Sequence, residues 1–372
     1  MFLKHKIYGL FFNIFRIFPL KSNKVSFITD KKGTFEGNFH YIAKELSDRK
    51  TKEGKLFDCY YIPKDNISIK NMYNLATSRY VFLADNFFPM AFMKFHKDVI
   101  IVQLWHASGL FKKFGYDFVD NEYKQLMEII GERINYLLVS SKNISEIYAH
   151  NFAMDIKKTI PFGTPKLDYY DGFRKSESNK SRIRDKFKKY YPNIKDKKIV
   201  LYAPTFRETP KYNNVFDYFD LKKFIDELSD EYILFVRLHP KMKNFSDMNF
   251  DYFLNNPNIV NVGDYQDEQE LLIVSDMLIT DYSSFMAEYS LLHKPIVFFT
   301  YDLENYIKNE RGFYIDFDND IPGNVVSDID QLISLFKSKE FDLTRIDKFL
   351  DFQFEYLDSN ATKRLVDFVF KD

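Results

Sequence analysis

The sequence predicts an α/β protein made of two doubly wound, Rossmann-like halves that face a cleft. Short β-branched or aromatic runs alternate with amphipathic stretches along most of the 372 residues, and this spacing is typical of parallel strands joined by helical crossovers. The strongly basic, polar segment 173–198 interrupts the alternation, which then resumes. The length suits two medium-sized domains, and such folds bind ligands at the carboxyl ends of their strands.

The candidate strands fall into two groups, one on each side of the basic segment. The strands predicted in the first half are residues 25–29, 57–62, 80–84, 99–104 and 136–140. Those predicted in the second half are residues 198–203, 232–237, 258–262, 276–280 and 295–299. Helical patterns lie between them, for example at 38–48 and 142–153, and the tail from residue 341 has a helical pattern throughout.

These patterns divide the chain into five predicted parts. They are a possible interfacial helix at 1–24, an α/β domain at 25–172, a basic linker and surface helix at 173–197, a second α/β domain at 198–345 and a C-terminal helix at 346–372. The basic linker is expected to be a solvated face, with contact to a membrane or polyanion as the alternative.

The charge balance excludes one class of partner. Lys and Arg together number 53, as do Asp and Glu, so the chain lacks the overall basic field that attracts nucleic acid. Its single cysteine, Cys59, cannot form an internal disulfide, and a reducing compartment is the simpler expectation.

The first twenty residues contain an apolar, aromatic run at 7–20 that is too short to span a bilayer. Basic residues surround or interrupt this run, namely Lys4, Lys6, Arg16, Lys21 and Lys24. One interpretation is a helix lying in the membrane interface, with aromatic side chains at the acyl boundary and cations at anionic headgroups. The other is a first helix packed on its own domain.

Polar residues follow several of the predicted strands directly. The strand at 99–104 runs into His106, the strand at 232–237 into His239, and the strand at 276–280 into the segment 281–284. A histidine titrates near neutrality and can move a proton. Hydroxyls and free N–H groups at the start of a helix bind anionic oxygens. These positions therefore suit phosphoryl transfer, although Asp281 could simply cap a helix and a lone histidine is often only a hydrogen-bonding group.

The chain resembles the CDP-glycerol glycerophosphotransferase family of teichoic acid primases and polymerases. The motifs that carry the resemblance are QLWHASGLFKKFG (103–115), FGTPKLDYY (162–170), LYAPTFRE (201–208), VRLHPK (236–241), LITDYSS (278–284) and the segment 294–317. They occur in the family's order and cover roughly residues 100–320.

This resemblance implies a GT-B fold, a CDP-alcohol donor, no cofactor or essential metal, and peripheral attachment to the cytoplasmic side of the membrane. It places the acceptor on the N-terminal domain and the donor on the C-terminal one. His106 would be the base on the acceptor hydroxyl, and His239 would support the donor phosphates and the departing CMP. The residues expected to line the pyrophosphate are Thr205, Arg207, Arg237, Ser283 and Ser284. Asp281 would either orient the phosphate loop or contact the donor. The residues expected in the acceptor loop are Ser108, Gly109, Lys112 and Lys113.

The expected reaction transfers glycerol phosphate from CDP-glycerol to a hydroxyl of a lipid-linked glycan. Two departures from the family pattern bear on the acceptor: Ala107 to Gly109 replace the usual Gly-Thr-Pro, and Lys166 replaces an arginine. The alternatives are a CDP-ribitol enzyme, a nucleotide-sugar glycosyltransferase of the same fold and an inactive membrane scaffold. The alternating Asp316, Asp318 and Asp320 superficially resemble a metal site, but an acidic turn before a Pro-Gly pair is the preferred interpretation.

Overall fold

The computed structural model describes residues 2–29, 37–65, 67–242 and 248–371. The chain forms two compact units. The first unit comprises the residues up to Gly109, Phe114–Tyr169 and the tail from Phe352, and the second comprises Leu110–Lys113 and Tyr170–Asp351. The chain passes into the second unit at Tyr170, close to the predicted boundary at 172, but it also enters that unit briefly at Leu110–Lys113.

The first unit contains a parallel sheet of six strands. They are β1 Lys21–Thr29, β2 Asp58–Pro63, β3 Ser78–Leu83, β4 Ile100–Gln103, β5 Tyr136–Leu138 and β6 Thr159–Ile160. Their order is β2-β1-β3-β4-β5-β6, so the direction of winding reverses between β1 and β3. Consecutive residues are buried along most of β1 and β3, so the sheet is covered on both faces.

The second unit contains another parallel sheet of six strands. They are β7 Lys198–Ala203, β8 Tyr232–Val236, β9 Ile259–Asn261, β10 Met277–Thr280, β11 Ile296–Phe299 and β12 Asn324–Val326. Their order is β12-β11-β10-β7-β8-β9, which is the Rossmann order with its switch point between β7 and β10. All ten predicted strands are present. The short strands β6 and β12 were not predicted, since two or three residues give no periodic signal.

Helices connect the strands in both units. In chain order they are α1 Leu3–Phe15, α2 Asn38–Leu46, α3 Ile69–Ala76, α4 Asn121–Arg133, α5 Ser145–Asn151, α6 Asp168–Arg174, α7 Glu177–Tyr190, α8 Leu221–Leu228, α9 Met248–Asn255, α10 Glu268–Val274, α11 Phe285–Ser290, α12 Leu303–Asn305, α13 Phe317–Asp320, α14 Ile329–Ser338, α15 Ile346–Gln353 and α16 Ala361–Val369. A π-helical turn, Tyr306–Glu310, follows α12. Helix α7 is the surface helix predicted in the basic segment.

The C-terminal region is two helices and not the single helix predicted for 346–372. Helix α15 ends at Gln353, and the segment before α16 includes Ser359, whose φ of +56° breaks the helical path. The carboxylate of Asp168 then caps α16, accepting the N–H groups of Ala361 (2.9 Å) and Thr362 (2.8 Å). Helix α16 buries Leu365 in the core of the first unit, so the end of the chain returns to the unit in which it began.

Helix α1 packs on the first unit through one face. A Cβ at Gly9 would lie 2.5 Å from Phe92 Cβ, so only glycine permits this approach. Phe12 is buried and its ring contacts Phe95 at 4.6 Å. Asn13 donates to the Phe92 carbonyl at 3.1 Å, so the polar interruption of the apolar run belongs to the packed face.

The opposite face of this segment carries an exposed apolar stripe. It consists of Leu3, Ile7, Leu10, Ile14 and Ile17, which are 43–78% exposed and follow the three- and four-residue spacing of one helix face. The two interpretations of the N-terminus are therefore compatible, because the helix is packed and also presents apolar surface. Lys24 was predicted to belong to the exposed basic flank of this segment, but it is buried. It is 2% exposed and donates to Asn74 and Thr77. Among the described residues, no helix has the length and apolar character needed to cross a bilayer.

Candidate functional site

In the first unit, a strained turn after β4 presents His106 to solvent. Trp105 has φ of +58°, a conformation that an aromatic residue rarely adopts. Its N–H donates to Gln103 Oε1 (2.9 Å), and its carbonyl accepts from Asn38 Nδ2 (3.2 Å). Its ring stacks on Phe114 at 5.2 Å. These contacts hold the turn, and the next residue, His106, is exposed at the carboxyl end of the sheet.

The hydrogen bond of His106 assigns its tautomer. Its Nδ1 lies 3.4 Å from the carbonyl oxygen of Ala84, just beyond the end of β3. A carbonyl can only accept, so Nδ1 carries the proton. In the neutral ring Nε2 then carries the lone pair, which is the form that a general base requires.

The remaining predicted acceptor-loop residues divide between the units. Gly109 has φ of +77°, and its carbonyl accepts from the Tyr148 hydroxyl at 2.6 Å, which fixes the turn. Ser108 is 3% exposed, so its hydroxyl is not on the surface of the unit. Lys112 and Lys113 belong to the second unit, so the residues of the predicted acceptor loop are divided between the two units.

In the second unit, the two strands that flank the switch point carry the loops predicted to bind phosphate. The loop after β7 contains Thr205, and the loop after β10 contains Asp281. The Asp281 carboxylate accepts the Thr205 N–H with both oxygens, at 2.9 and 3.0 Å. Asp281 is 1% exposed, so its observed role is to hold the two loops together, one of the two roles expected for it.

Arg207 is buried beneath these loops. Its Nε and Nη2 donate to the two oxygens of Asp302 at 2.7 and 3.0 Å, and Nη1 lies 2.9 Å from an Asp281 oxygen. The guanidinium also lies 4.7 Å from the ring centre of Tyr282. Burial disfavours its charge, but the two carboxylates outweigh this and raise the pKa of Arg207. With 1% exposure, Arg207 cannot line a pyrophosphate as predicted; it supports the loops that could.

The side chain of Arg237 also forms its hydrogen bonds within the second unit. It donates to the carbonyls of Val262 (3.1 Å) and Tyr265 (3.0 Å) and pairs with Glu268 at 2.8 Å. These contacts use three of its five guanidinium N–H groups to fix the loop after β9, and the expected contact of Arg237 with the pyrophosphate stays a prediction.

Three hydroxyl groups remain at the switch point. Ser284 is exposed and Ser283 is half-buried, where its hydroxyl accepts the Phe285 N–H at 3.2 Å. Thr205 Oγ1 is buried and has no hydrogen-bond partner among the described residues. A buried, unpaired hydroxyl is costly, and a phosphate oxygen bound between these loops would satisfy it.

His239 is the second histidine predicted to act in catalysis, and its tautomer is opposite to that of His106. Its Nδ1 accepts the N–H of Lys241 at 3.2 Å, so in the neutral ring the proton is on Nε2. Partial burial lowers the pKa of His239, and the positive charges of Lys241 and Lys112 lower it further. At neutral pH the residue is therefore a neutral donor with a free Nε2–H.

The acidic turn is a structural cap. Asp316 accepts the N–H groups of Asp318 (3.0 Å) and Asn319 (3.3 Å), and Asp320 pairs with Lys348 at 3.2 Å. Across residues 2–29, 37–65, 67–242 and 248–371, no three His, Cys, Asp or Glu side chains are grouped so as to hold a metal ion.

The sequence did not identify the residues that hold the site in place. Asp302 is the main partner of Arg207, and Gln103 and Asn38 hold the Trp105 turn. Asp302 lies within a motif that carries the family resemblance, but its residue type alone does not indicate a partner 95 positions away. The one sequence feature that could have indicated such a supporting residue is a polar side chain at the end of an apolar strand, as at Gln103.

Comparison with known proteins decides the family. The family model of CDP-glycerol:poly(glycerophosphate) glycerophosphotransferases matches residues 10–371. The chain belongs to this family. It is 35% identical over 374 residues to a teichoic acid poly(ribitol-phosphate) polymerase of Bacillus spizizenii, covering 98% of this chain and 59% of that protein. It is 31% identical to a teichoic acid ribitol-phosphate primase of the same species, covering 99% of this chain and 97% of the primase.

A protein of known structure shares the fold. The wall teichoic acid polymerase TagF superposes with a TM-score of 0.79 at 22% identity, over 98% of this chain and 93% of that one. This similarity supports the α/β architecture with two parallel six-stranded sheets. The chain thus spans 59% of the length of the poly(ribitol-phosphate) polymerase but nearly all of the primase.

Proposed function

We propose that this protein transfers an alditol phosphate from a CDP-alcohol to a hydroxyl of a lipid-linked glycan and releases CMP, in the synthesis of teichoic acid or a related surface polymer. The observation that carries the proposal is the pair of complementary histidines. The neutral ring of His106 carries its lone pair at Nε2, whereas that of His239 carries its proton there. Each follows a strand of a different sheet, in a chain of the CDP-glycerol glycerophosphotransferase family.

The proposed step is a direct displacement at phosphorus. The acceptor oxygen forms a bond to the alditol-bearing phosphorus while its proton passes to Nε2 of His106. The bond from that phosphorus to the bridging oxygen breaks, and the electron pair leaves with CMP. His239 donates a hydrogen bond to the diphosphate, and Thr205, Ser283 and Ser284 contact its oxygens. Positioning and charge stabilisation supply most of the catalysis in such reactions.

The donor is the point on which the relatives differ. The sequence predicts CDP-glycerol, whereas both ribitol-phosphate relatives match almost the whole chain, an observation that favours CDP-ribitol as a second candidate. A glycerol-phosphate primase of Bacillus subtilis is 34% identical over 84% of this chain. Incubation of the enzyme with each donor and a lipid-linked disaccharide tests the proposal, with CMP measured over time. We expect acceptor-dependent CMP release with at least one donor; release with neither would overturn the function.

The proposed two-domain arrangement is of the GT-B type, which nucleotide-sugar glycosyltransferases also use. The nucleotide product separates these two activities. A glycosyltransferase would release a nucleoside diphosphate, whereas attack at the outer phosphorus releases CMP.

We expect catalysis to need no added metal ion. The proposed phosphate contacts come from His239 and from hydroxyl groups, so charge would be stabilised by hydrogen bonds from the protein. The measurement is CMP release in excess EDTA, compared with the same reaction in Mg²⁺. A strict requirement for Mg²⁺ or Mn²⁺ would contradict this expectation and direct attention to Asp316 and Asp318.

We also propose that the apolar stripe of the N-terminal segment docks the enzyme on the cytoplasmic face of the membrane. An acceptor with a lipid anchor stays in the membrane plane, so an attached enzyme meets it at a high local concentration. The same segment and its flank contain the basic residues Lys4, Lys6, Arg16 and Lys21, whose charges would attract anionic headgroups. Lys24 does not contribute, because it is buried.

Substitution within the stripe tests this docking without disturbing the packed face. Leu10→Glu combined with Ile17→Glu should lower binding to anionic vesicles by about tenfold or more, since each buried aliphatic side chain contributes about 1.5–3 kcal/mol. Leu10 and Ile17 are 60% and 78% exposed, so folding should be retained.

The matched control for the stripe is Leu343→Glu, at a leucine of the second unit that is 43% exposed. Cosedimentation with vesicles measures binding, and turnover of a short-chain soluble acceptor should be unchanged in all variants. Full vesicle binding by the double variant would show that attachment lies elsewhere.

A further inference from the structure

The segment Leu110–Lys113 is fixed to the second unit by its neighbours on both sides of Lys112. The ring of Phe111 stacks on Phe313 with 4.7 Å between ring centres and 10° between planes. The carbonyl of Phe111 accepts the Tyr314 N–H at 2.8 Å, and Lys112 pairs with Phe313 in an antiparallel bridge. The position of the Lys112 backbone is therefore set by the second unit.

The side chain of Lys112 approaches Tyr306, whose ring also lies 5.2 Å from the Arg207 guanidinium. The Lys112 ammonium is 5.4 Å from the ring centre of Tyr306. The titratable groups whose electrostatic influence reaches it are Asp281, Arg207, Glu310, Arg311 and His239. Within the part of the chain that the structure describes, the ammonium forms no ion pair.

The nearby carboxylates are already occupied. Asp281 binds Arg207 and the Thr205 N–H, and Glu310 accepts the N–H groups of Glu208 and Thr209 at 2.9 and 2.8 Å. Lys112 is thus a cation without a dedicated carboxylate, in the same unit as the unpaired Thr205 hydroxyl. Such a site has capacity for an anion.

We propose that Lys112 binds the diphosphate of the CDP-alcohol donor, and so is a donor-binding residue and not part of the acceptor loop. This inference rests on the proposed function. The site it completes combines Lys112, Thr205 and His239 around one anionic group. Lys112 supplies a positive charge that the buried Arg207 cannot offer.

The protonation of Lys112 gives the proposal a specific signature. Burial lowers its pKa to about 7; Asp281 opposes the shift, and Arg311 and Arg207 add to it. A bound diphosphate favours the charged form and raises this pKa. Between the free and bound values, binding therefore takes up a proton, and affinity falls as the pH rises above 7. In the free protein the pKa of His239 is lowered from 6.5; Lys112→Arg leaves His239 in place and therefore isolates the proton taken up by Lys112.

Calorimetry with CDP-glycerol and with CDP-ribitol tests the proposal. Lys112→Met keeps the apolar stem but removes the charge, and should weaken binding by about tenfold to a hundredfold. Lys112→Arg should retain much of the affinity but lose the proton uptake between about pH 7 and 9. The control is Lys308→Ala, an exposed lysine on the same π-helical turn as Tyr306, which should bind like the wild type.

Each outcome decides a different claim. If the wild type binds neither donor, the proposed function fails. If the wild type binds but Lys112→Met binds equally well, the role of Lys112 is overturned. If Lys112→Met does not fold, the pH profile of the wild type decides, and an affinity that is constant from about pH 7 to 9 overturns the inference.

Discussion

His106→Ala and His239→Ala are each expected to lower turnover by about two to four orders of magnitude. Loss of His106 removes the group that accepts the proton of the attacking hydroxyl. Loss of His239 removes the Nε2–H that stabilises charge on the diphosphate and on departing CMP. Both side chains are exposed, so neither substitution should change the thermal unfolding midpoint appreciably.

The two variants should differ in donor binding. His239→Ala should weaken affinity for the CDP-alcohol, whereas His106→Ala should leave that affinity unchanged. His150→Ala is the matched control, because His150 is an exposed histidine of the first unit that pairs with Asp117 at 2.8 Å. Wild-type rates of CMP release from either active-site variant would remove that histidine from the mechanism.

Arg207→Met is expected to destabilise the second unit by about 3–5 kcal/mol, because it leaves two buried carboxylates without their cation. Asp281 and Asp302 are 1% and 5% exposed and both bind the guanidinium. The change should appear as a lower urea midpoint in circular dichroism. Arg182→Ala, at an exposed arginine of α7, is the control and should leave the midpoint nearly unchanged.

A double-mutant cycle separates a buried support from a ligand contact. If Arg207 acts through Asp302, Arg207→Met and Asp302→Asn together should cost much less than the sum of their separate effects. A folded Arg207→Met protein of wild-type stability that has lost only donor affinity would instead restore the predicted contact with pyrophosphate.

The sequence predicted the sheets well because parallel, buried strands leave continuous apolar runs. It located His106 and His239 for the same reason, since a polar residue at the end of such a run marks the carboxyl edge of the sheet. The sequence could not show which arginines are available to a ligand and which are paired with carboxylates inside the protein. Arg207 and Arg237 follow strands as the histidines do, but their partners, such as Asp302 and Glu268, are distant in sequence.

For the loops and the N-terminus, too, the sequence did not reveal contacts between residues that are distant along the chain. Nothing in the motif at 103–115 indicates that Lys112 belongs to a different unit from His106, because that depends on the pairing of its backbone with Phe313. The composition of residues 1–24 predicted an amphipathic segment, yet only the close approach of Gly9 to Phe92 shows which face is packed.

The central claim is that the attack occurs at the alditol-bearing phosphorus, and the fate of a label on that atom tests it most directly. A donor labelled with ³²P at the outer phosphate would be incubated with the enzyme and a lipid-linked acceptor, and the products separated. We predict that the label moves entirely to the lipid-linked product and that the released CMP is unlabelled. Label retained in a released nucleoside diphosphate would show that the bond between the alditol carbon and the phosphate oxygen is broken instead. That result would contradict phosphotransferase activity.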